Sequence, residues 1–231
     1  MRSRVEAKTL QAKKTVALAR WLLGKHLVRR FADGRVAARL IVETEAYDGE
    51  KDLACHARVG RTGRTEVMYA AGGVWYVYLC YGIHEMLNLV VGPRDWPAAV
   101  LIRGIEGAIG PGRVTRSLTI NRSVNRTSAC DASAGLWIED RGVRVPRHAV
   151  VAAPRVGVDY AGPVWASKPW RFTLNLGAMD PTTAALRRVK SSGDRRRAGS
   201  PGHEAPGAPT SRGWSVRTAA GRVRRRRQRD D

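Results

Sequence analysis

The feature that most constrains the fold is a series of short β-prone segments that do not alternate regularly with helices. Six segments are rich in Val, Ile, Leu and aromatic residues and are bounded by Gly, Pro or Asp: residues 36–47, 74–80, 86–91, 99–105, 136–139 and 149–158. Residues 15–23 have apolar side chains at helical spacing, and Gly24 is placed to end that helix. We therefore predict an α+β fold, a single domain with a curved, mostly antiparallel sheet and flanking helices.

The distribution of charge separates a folded body from a basic tail. The chain has 231 residues and a formal net charge of +21. Residues 187–231 carry 14 basic and four acidic side chains and few large aliphatic ones, which predicts a low-complexity, disordered tail. We predict a domain over residues 10–186, preceded by a flexible N-terminus over residues 1–9. Because a net charge of +11 remains on residues 1–186, the domain itself is expected to bind a polyanion.

Composition argues against several other classes of protein. The longest apolar stretches are too short to span a bilayer, and the N-terminus lacks the apolar segment of a secretory signal. We therefore expect a cytoplasmic protein that does not bind membranes. Three cysteines without a Cys-x-x-Cys spacing argue against a disulfide framework and against a structural zinc site.

The first candidate site lies on the predicted strand over residues 36–47. Since side chains alternate along a strand, Glu43, Glu45 and Tyr47 share one face. Two carboxylates next to an aromatic ring could act on a bound substrate. The alternative is a solvated strand face, because Glu and Tyr often face water on antiparallel sheets.

The second candidate feature is a β-hairpin over residues 74–91, with its turn near Tyr81 and Gly82. Tyr81 would lie at the protruding tip, where an aromatic ring can stack on a ligand. Tyr76 and Tyr78 lie on the first strand of the hairpin, and packing in the core is the alternative for both.

From about residue 17 to residue 172 the sequence resembles the alkyladenine (3-methyladenine) DNA glycosylase family. The shared blocks occur in the family's order: Ala19-Arg-Trp-Leu-Leu-Gly-Lys-His-Leu-Val-Arg-Arg, Ile41-Val-Glu-Thr-Glu-Ala-Tyr, His56-Ala-Arg, Tyr76-Val-Tyr-Leu-Cys-Tyr-Gly, Leu87-Asn88, Val100-Leu-Ile-Arg103, Gly110-Pro-Gly, Ala153-Pro-Arg-Val-Gly-Val-Asp-Tyr-Ala-Gly and Lys168-Pro-Trp-Arg-Phe. The resemblance implies a monofunctional enzyme of base excision repair, which flips an alkylated or deaminated purine out of double-stranded DNA. The enzyme would hydrolyse the N-glycosidic bond and leave an abasic site.

The resemblance also implies roles for individual residues. Glu45 would be the general base that activates the attacking water, and Glu43 would have a lesser, structural role. The base pocket and its surroundings would be formed by Tyr47, His56, Tyr78, Asn88 and Arg103. Tyr81 would fill the gap that the flipped base leaves, and Arg113 would bind a phosphate. The family implies no metal and no cofactor, and we expect a monomer that is associated with the nucleoid if the source is bacterial.

This sequence departs from the family pattern after Gly107. Only Ala108 and Ile109 precede the Gly110-Pro-Gly block, where the family usually carries a helical insertion. Arg113 stands where the family usually has Lys, and it can still bind a phosphate, although with different geometry.

Two other functions fit part of the sequence. A catalytically impaired nucleic-acid-binding protein derived from the family would explain the charge equally well, and it would retain DNA without releasing a base. A carbohydrate or nucleoside hydrolase could use Glu43 and Glu45 as a pair of carboxylates. The basic charge and the tyrosines of the hairpin weigh against this second function, because a neutral sugar requires neither.

Overall fold

The computed structural model describes residues 3–180, so the predicted tail over residues 187–231 lies outside the described residues. The strands are β1 (Ser3–Arg4), β2 (His26–Arg30), β3 (Val36–Asp48), β4 (Trp75–Cys80), β5 (His84–Val90), β6 (Ala98–Ile105), β7 (Ala108–Ile109), β8 (Leu136–Asp140), β9 (Val150–Ala153) and β10 (Arg171–Leu174). The α-helices are α1 (Ala7–Leu10), α2 (Thr15–Leu22), α3 (Pro111–Ser117) and α4 (Gly162–Ala166). Short 3-10 helices lie at His56–Val59, Glu66–Tyr69, Arg122–Val124, Arg147–Ala149, Asp159–Ala161 and Leu176–Ala178.

The strands form one antiparallel sheet, which confirms the predicted α+β fold. Its main order is β1-β8-β2-β3-β6-β5-β4, while β10 pairs with β3 and β9, and β7 pairs with β6. β3 is 13 residues long and pairs with β2, β6 and β10. Between Ile41 and Thr44 the register of β3 against β6 shifts at Glu43. β3 is therefore the strand around which the rest of the domain is arranged.

The largest apolar cluster of the described residues includes side chains of the sheet and of α2. The predicted helix is confirmed as α2, which buries Leu18, Ala19 and Leu22. Thr44 points toward this side of β3, and its hydroxyl donates to the carbonyl oxygen of Ala19 over 2.8 Å. The two faces of β3 thus have different surroundings. Val42, Thr44 and Ala46 face α2 and the core, and the side chains that alternate with them lie on the other face.

The structure differs from the sequence-based prediction at the N-terminus and at one strand, while the predicted domain end at residue 186 lies outside the described residues. β1 pairs with β8, and Val5 and Leu10 are buried, so packed structure begins before residue 10. The strand predicted over residues 149–158 is shorter, because β9 ends at Ala153. Pro154 follows it and has no N–H group to continue the pairing, so the chain leaves the sheet there.

The segment after β6 is a tight turn. Gly104 and Ile105 of β6 pair with Ile109 and Ala108 of β7 across a turn that contains Gly107. Gly107 has a φ of 87°, which a glycine adopts without steric cost. The chain thus passes the position of the missing insertion with its antiparallel pairing intact.

Within the described residues, no helix is long and apolar enough to cross a membrane.

Candidate active site

Glu45 is buried in the middle of the sheet, with a hydrogen-bond donor at each carboxylate oxygen. Its side chain is 0% exposed. The hydroxyl of Tyr47 donates to Oε2 over 2.9 Å, and the backbone N–H of Val156 donates to Oε1 over 2.9 Å. The predicted shared face is confirmed, because Arg103 of β6 approaches both Glu43 and Glu45. The alternative of a solvated face is wrong for this strand.

Glu43 is held differently, by two arginines. Its Oε1 accepts hydrogen bonds from Arg103 Nε over 3.0 Å and from Arg171 Nη1 over 3.1 Å. The same Arg103 Nε lies 3.6 Å from Glu45 Oε1. A Cβ atom at Gly104 would lie 2.9 Å from Cβ of Glu43, so the opposite strand needs a glycine there. Glu43 is thus committed to ion pairs, and it holds Arg103 in place beside Glu45.

Opposing effects set the basicity of Glu45. Burial raises its pKa above the ordinary value of 4.5, and the nearby charge of Glu43 acts in the same direction. The charge of Arg103 and the hydrogen bonds from Val156 and Tyr47 act to lower the pKa. The result is a carboxylate with a raised pKa, which makes it a better proton acceptor than a solvated glutamate.

A cavity of about 420 Å³ lies next to Glu45 and has aromatic walls. Its borders include Tyr47, His56, Tyr76, Tyr78, Asn88 and Tyr160. Val156 also borders it, so both hydrogen-bond donors to Glu45 belong to the cavity wall. Glu45 itself therefore lies directly behind that wall. A cavity of this size is within the range of small-molecule sites.

His56 is fixed in the wall by its ring contacts. Its Nδ1 lies 3.0 Å from the hydroxyl oxygen of Tyr76, and its ring centroid lies 4.7 Å from that of Tyr78 in an edge-to-face arrangement. Burial lowers the pKa of His56 to about 4, and the charges of Arg64 and Arg58 add to this effect. The imidazole is therefore neutral at physiological pH.

Some residues of the predicted hairpin lie in the cavity wall, and Tyr81 lies at the tip of the hairpin. Tyr76 is 3% exposed and packs in an apolar cluster, as the core-packing alternative predicted, but it also borders the cavity. Asn88 of β5 is 4% exposed, and its Nδ2 donates to the carbonyl oxygens of Tyr76 and Met86. Hydrogen bonds thus hold the side chains of both residues in the cavity wall.

Tyr81 lies at the tip of the hairpin, so the predicted turn is confirmed. Tyr81 and Gly82 have φ angles of 51° and 69°, and the N–H of Ile83 donates to the carbonyl oxygen of Cys80. Positive φ at both central residues is typical of a type I′ turn. Tyr81 is 92% exposed and also borders the cavity, so its ring is free to stack on a ligand.

Arg103 and Arg113 lie outside the cavity border. Arg103 contacts the two glutamates behind the wall. Arg113 is exposed on α3, a helix that packs against β5 and is attached by a hydrogen bond from Thr115 Oγ1 to the carbonyl oxygen of Glu85. The structure thus brings together the other predicted pocket residues, with Arg113 on the surface beyond them.

Several residues of the site were missed by sequence analysis. Tyr160 and Arg64 border the cavity, and Val156 supplies a backbone donor to Glu45. Arg155 forms a fully buried ion pair with Asp52 beside the site. Arg155, Val156 and Tyr160 fall within the block that begins at Ala153, which was the only signal for them. Asp52 pairs with Arg155, which lies 103 residues later in the chain, so no local sequence pattern connects the two.

The aromatic walls and the buried carboxylate of Glu45 behind them define a site for a flat, aromatic ligand next to a proton acceptor. The comparisons with known proteins identify the family. A family described as methylpurine-DNA glycosylase (MPG) matches residues 9–109 and 106–177. The two matched segments meet at the β6–β7 turn, where the sequence lacks the insertion.

Curated relatives agree with this match. Among them are three examples that are each named "Putative 3-methyladenine DNA glycosylase". The protein from Anaeromyxobacter sp. is 47% identical over 179 residues, which cover 74% of this chain and 90% of the relative. The protein from Methanocella arvoryzae is 48% identical over 178 residues, with 68% and 86% covered, and that from Myxococcus xanthus is 45% identical over 170 residues, with 70% and 85% covered.

The chain belongs to the methylpurine-DNA glycosylase family. It is a DNA-repair glycosylase, a hydrolase of glycosidic bonds in base excision repair whose substrate is DNA. The net charge of +21 fits a polyanionic substrate.

Proposed function

We propose that this enzyme flips an alkylated or deaminated purine out of duplex DNA into the aromatic cavity and hydrolyses its N-glycosidic bond. The products are a free base and an abasic site. The observation that carries the proposal is the position of Glu45, whose two hydrogen-bond donors, Tyr47 and Val156, both border the cavity. A base bound between these walls would bring its sugar carbon close to the carboxylate.

In this mechanism Glu45 accepts a proton from the water that attacks C1′. Its raised pKa makes it a suitable general base, and the charge of Arg103 stabilises its ionised form. One carboxylate is sufficient, because an alkylated purine is already cationic or electron-poor and leaves with little acid assistance. Glu43 is not needed as a second catalytic acid, since two arginines bind its carboxylate.

The aromatic residues would offset the energy of base flipping. Extrusion of a base costs a few kcal/mol, and less for a damaged base, while stacking on an aromatic side chain contributes about 1–3 kcal/mol per base. The rings of Tyr76 and Tyr78 lie 5.3 Å apart and form a continuous wall with His56. Tyr81 at the exposed tip would occupy the vacated position in the duplex.

The enzyme is proposed to be monofunctional, with water as the nucleophile. Among the described residues that border the cavity there is no lysine, whose amine would form a Schiff base with the sugar. We expect a monomer that acts on double-stranded DNA, and the surface residue Arg113 is expected to contact a phosphate.

The test is base release by the purified full-length chain. Duplexes that contain hypoxanthine or ethenoadenine and DNA treated with a methylating agent would be incubated with the enzyme, and free bases would be quantified by mass spectrometry. We expect base release and strand breaks that appear only after alkali treatment. Strand breaks without alkali would contradict the monofunctional mechanism. Retention of DNA without any base release would show the impaired DNA-binding protein instead.

A further inference from the structure

Asp52 and Arg155 form an ion pair that is completely removed from solvent. Two guanidinium nitrogens of Arg155 lie 2.6 and 2.9 Å from the two carboxylate oxygens of Asp52, and both side chains are 0% exposed. The pair has four further backbone partners, which are the N–H groups of Asp48 and Ala54 and the carbonyl oxygens of Ala46 and Trp165. It thus connects β3, the segment before His56 and α4.

Arg155 packs against one of the two groups that donate hydrogen bonds to Glu45 and adjoins the other in the chain. Its guanidinium carbon lies 4.8 Å from the ring centroid of Tyr47, whose hydroxyl donates to Glu45 Oε2. Its neighbour in the chain, Val156, donates its backbone N–H to Glu45 Oε1. Trp170 also packs against the guanidinium group, with its ring centroid 5.0 Å from the guanidinium carbon. The plane of Arg155 is therefore fixed on several sides.

We infer that Arg155, held by Asp52, is a positioning residue that keeps the hydroxyl of Tyr47 and the N–H of Val156 on the two oxygens of Glu45. This inference rests on the proposed function, in which Glu45 is the general base. Arg155 does not touch the substrate in this role, and it acts on the reaction only through Tyr47, Val156 and Glu45.

The energetics of buried ion pairs support this inference. Removal of two charges from water costs several kcal/mol for each ion, and apolar residues of similar size often give equal or greater stability. What apolar residues do not provide is the planar guanidinium fork, which binds a carboxylate in bidentate geometry and stacks on aromatic rings at the same time. The orientation that Arg155 imposes on Tyr47 and Val156 is therefore its specific contribution.

Loss of this positioning would be visible in the pH dependence of excision. The titratable or charged groups that face Glu45 are Glu43 and Tyr47 on β3, Arg103 on β6, Arg171 on β10 and Arg155 in the loop after β9. The bonds from Val156 and Tyr47 lower the pKa of Glu45, so their loss would raise it. Because excision needs ionised Glu45, the acid limb of the rate profile would move to higher pH.

The experiment compares Arg155→Lys with the wild-type chain. Lysine keeps the positive charge opposite Asp52, but it lacks the bidentate fork and the planar face. We expect the midpoint of the acid limb in the pH profile of single-turnover excision to move to higher pH by about one unit. The plateau rate should fall by about 10²-fold. The matched control is Arg141→Lys, because Arg141 and Glu139 form another buried pair, on and just after β8, with 2.6 Å between Nη2 and Oε2. This control should leave the acid limb unchanged.

Each outcome has a defined meaning. If Arg155→Lys folds and keeps the wild-type acid limb and plateau, the positioning role is wrong. If Arg155→Lys does not fold, Asp52→Asn/Arg155→Gln removes both charges without leaving one unpaired, and it should show the same shift. If both variants fail to fold while Arg141→Lys folds, the pair is structural and the inference is overturned. Absence of excision by the wild-type chain, or full activity of Glu45→Gln, would refute the proposed function instead.

Discussion

Glu45→Gln is the substitution that tests the proposed general base most directly, because the site can accommodate it. The amide oxygen can take the position of Oε1 and accept the N–H of Val156. The amide NH2 group then faces Tyr47, whose hydroxyl can accept a hydrogen bond as well as donate one. Arg103 keeps its partner Glu43 at 3.0 Å, so no buried cation loses its only carboxylate.

The expected magnitude follows from these contacts. Since every hydrogen bond of Glu45 has a replacement, the free energy of unfolding should change by no more than about 1–2 kcal/mol. The loss of a general base lowers the rate by about 10²–10⁴-fold, which corresponds to about 3–5 kcal/mol of transition-state stabilisation. Affinity for lesion DNA should persist or improve, since one negative charge is removed next to a polyanion.

The assay is single-turnover excision from one ethenoadenine duplex, with enzyme in excess and folding checked by circular dichroism. Glu43→Gln is the matched control, because Glu43 lies on the same face but is bound by Arg103 and Arg171. It should lower the rate at neutral pH by less than about tenfold. The assignment of the base is refuted if Glu45→Gln retains near wild-type excision, or if Glu43→Gln alone abolishes excision in a folded protein.

Two further predictions concern the tip and the wall of the site. Tyr81→Ala should weaken binding to lesion DNA by about 1–3 kcal/mol, because the vacated position in the duplex loses its stacking partner. If 2-aminopurine beside the lesion has the same fluorescence with the variant as with the wild-type chain, Tyr81 does not occupy that position. The second prediction concerns His56. Between pH 6.5 and about 4 the unfolded chain binds a proton at His56 and the folded chain does not. The free energy of unfolding should therefore decrease as the pH falls, by on the order of 1–3 kcal/mol. Thermal unfolding measured across this pH range should show that His56→Gln loses less stability on acidification than the surface control His148→Gln. If both variants lose the same stability, His56 is not held neutral by the fold.

The parts of the fold that follow from local pattern were predicted from the sequence. Alternation along β3 placed Glu43, Glu45 and Tyr47 on one face, and Tyr81-Gly82 marked the turn of the hairpin. Both patterns depend only on the period of a strand and on the φ angles of a turn. The existence of the β6–β7 pairing was not predicted, because a strand of two residues has no periodicity to detect.

The parts of the site that depend on distant contacts were not predicted. Arg155 pairs with Asp52, which lies 103 residues earlier, and nothing near either residue signals the other. The backbone N–H of Val156 has no side-chain signature, although it is one of two donors to Glu45. The register of β3 against β6 shifts at Glu43, and Arg103 of β6 lies within ion-pair distance of both Glu43 and Glu45. This arrangement depends on how two separate strands pair, which no local pattern shows.

The opposing charges around Glu45 lead to a last prediction, in which Glu43→Gln moves the pH profile in the opposite direction to Arg155→Lys. The charge of Glu43 raises the pKa of Glu45, so its removal should lower that pKa. Arg103, freed from part of its pairing with Glu43 and 3.6 Å from Glu45, should add to the decrease. Since excision needs ionised Glu45, Glu43→Gln should stay active to lower pH than the wild-type chain. A general loosening of the site would instead weaken the donors to Glu45 and raise its pKa. Rate profiles of both variants measured in the same buffers decide between these explanations, and an acid limb of Glu43→Gln that stays in place or moves to higher pH would contradict this account of the charges.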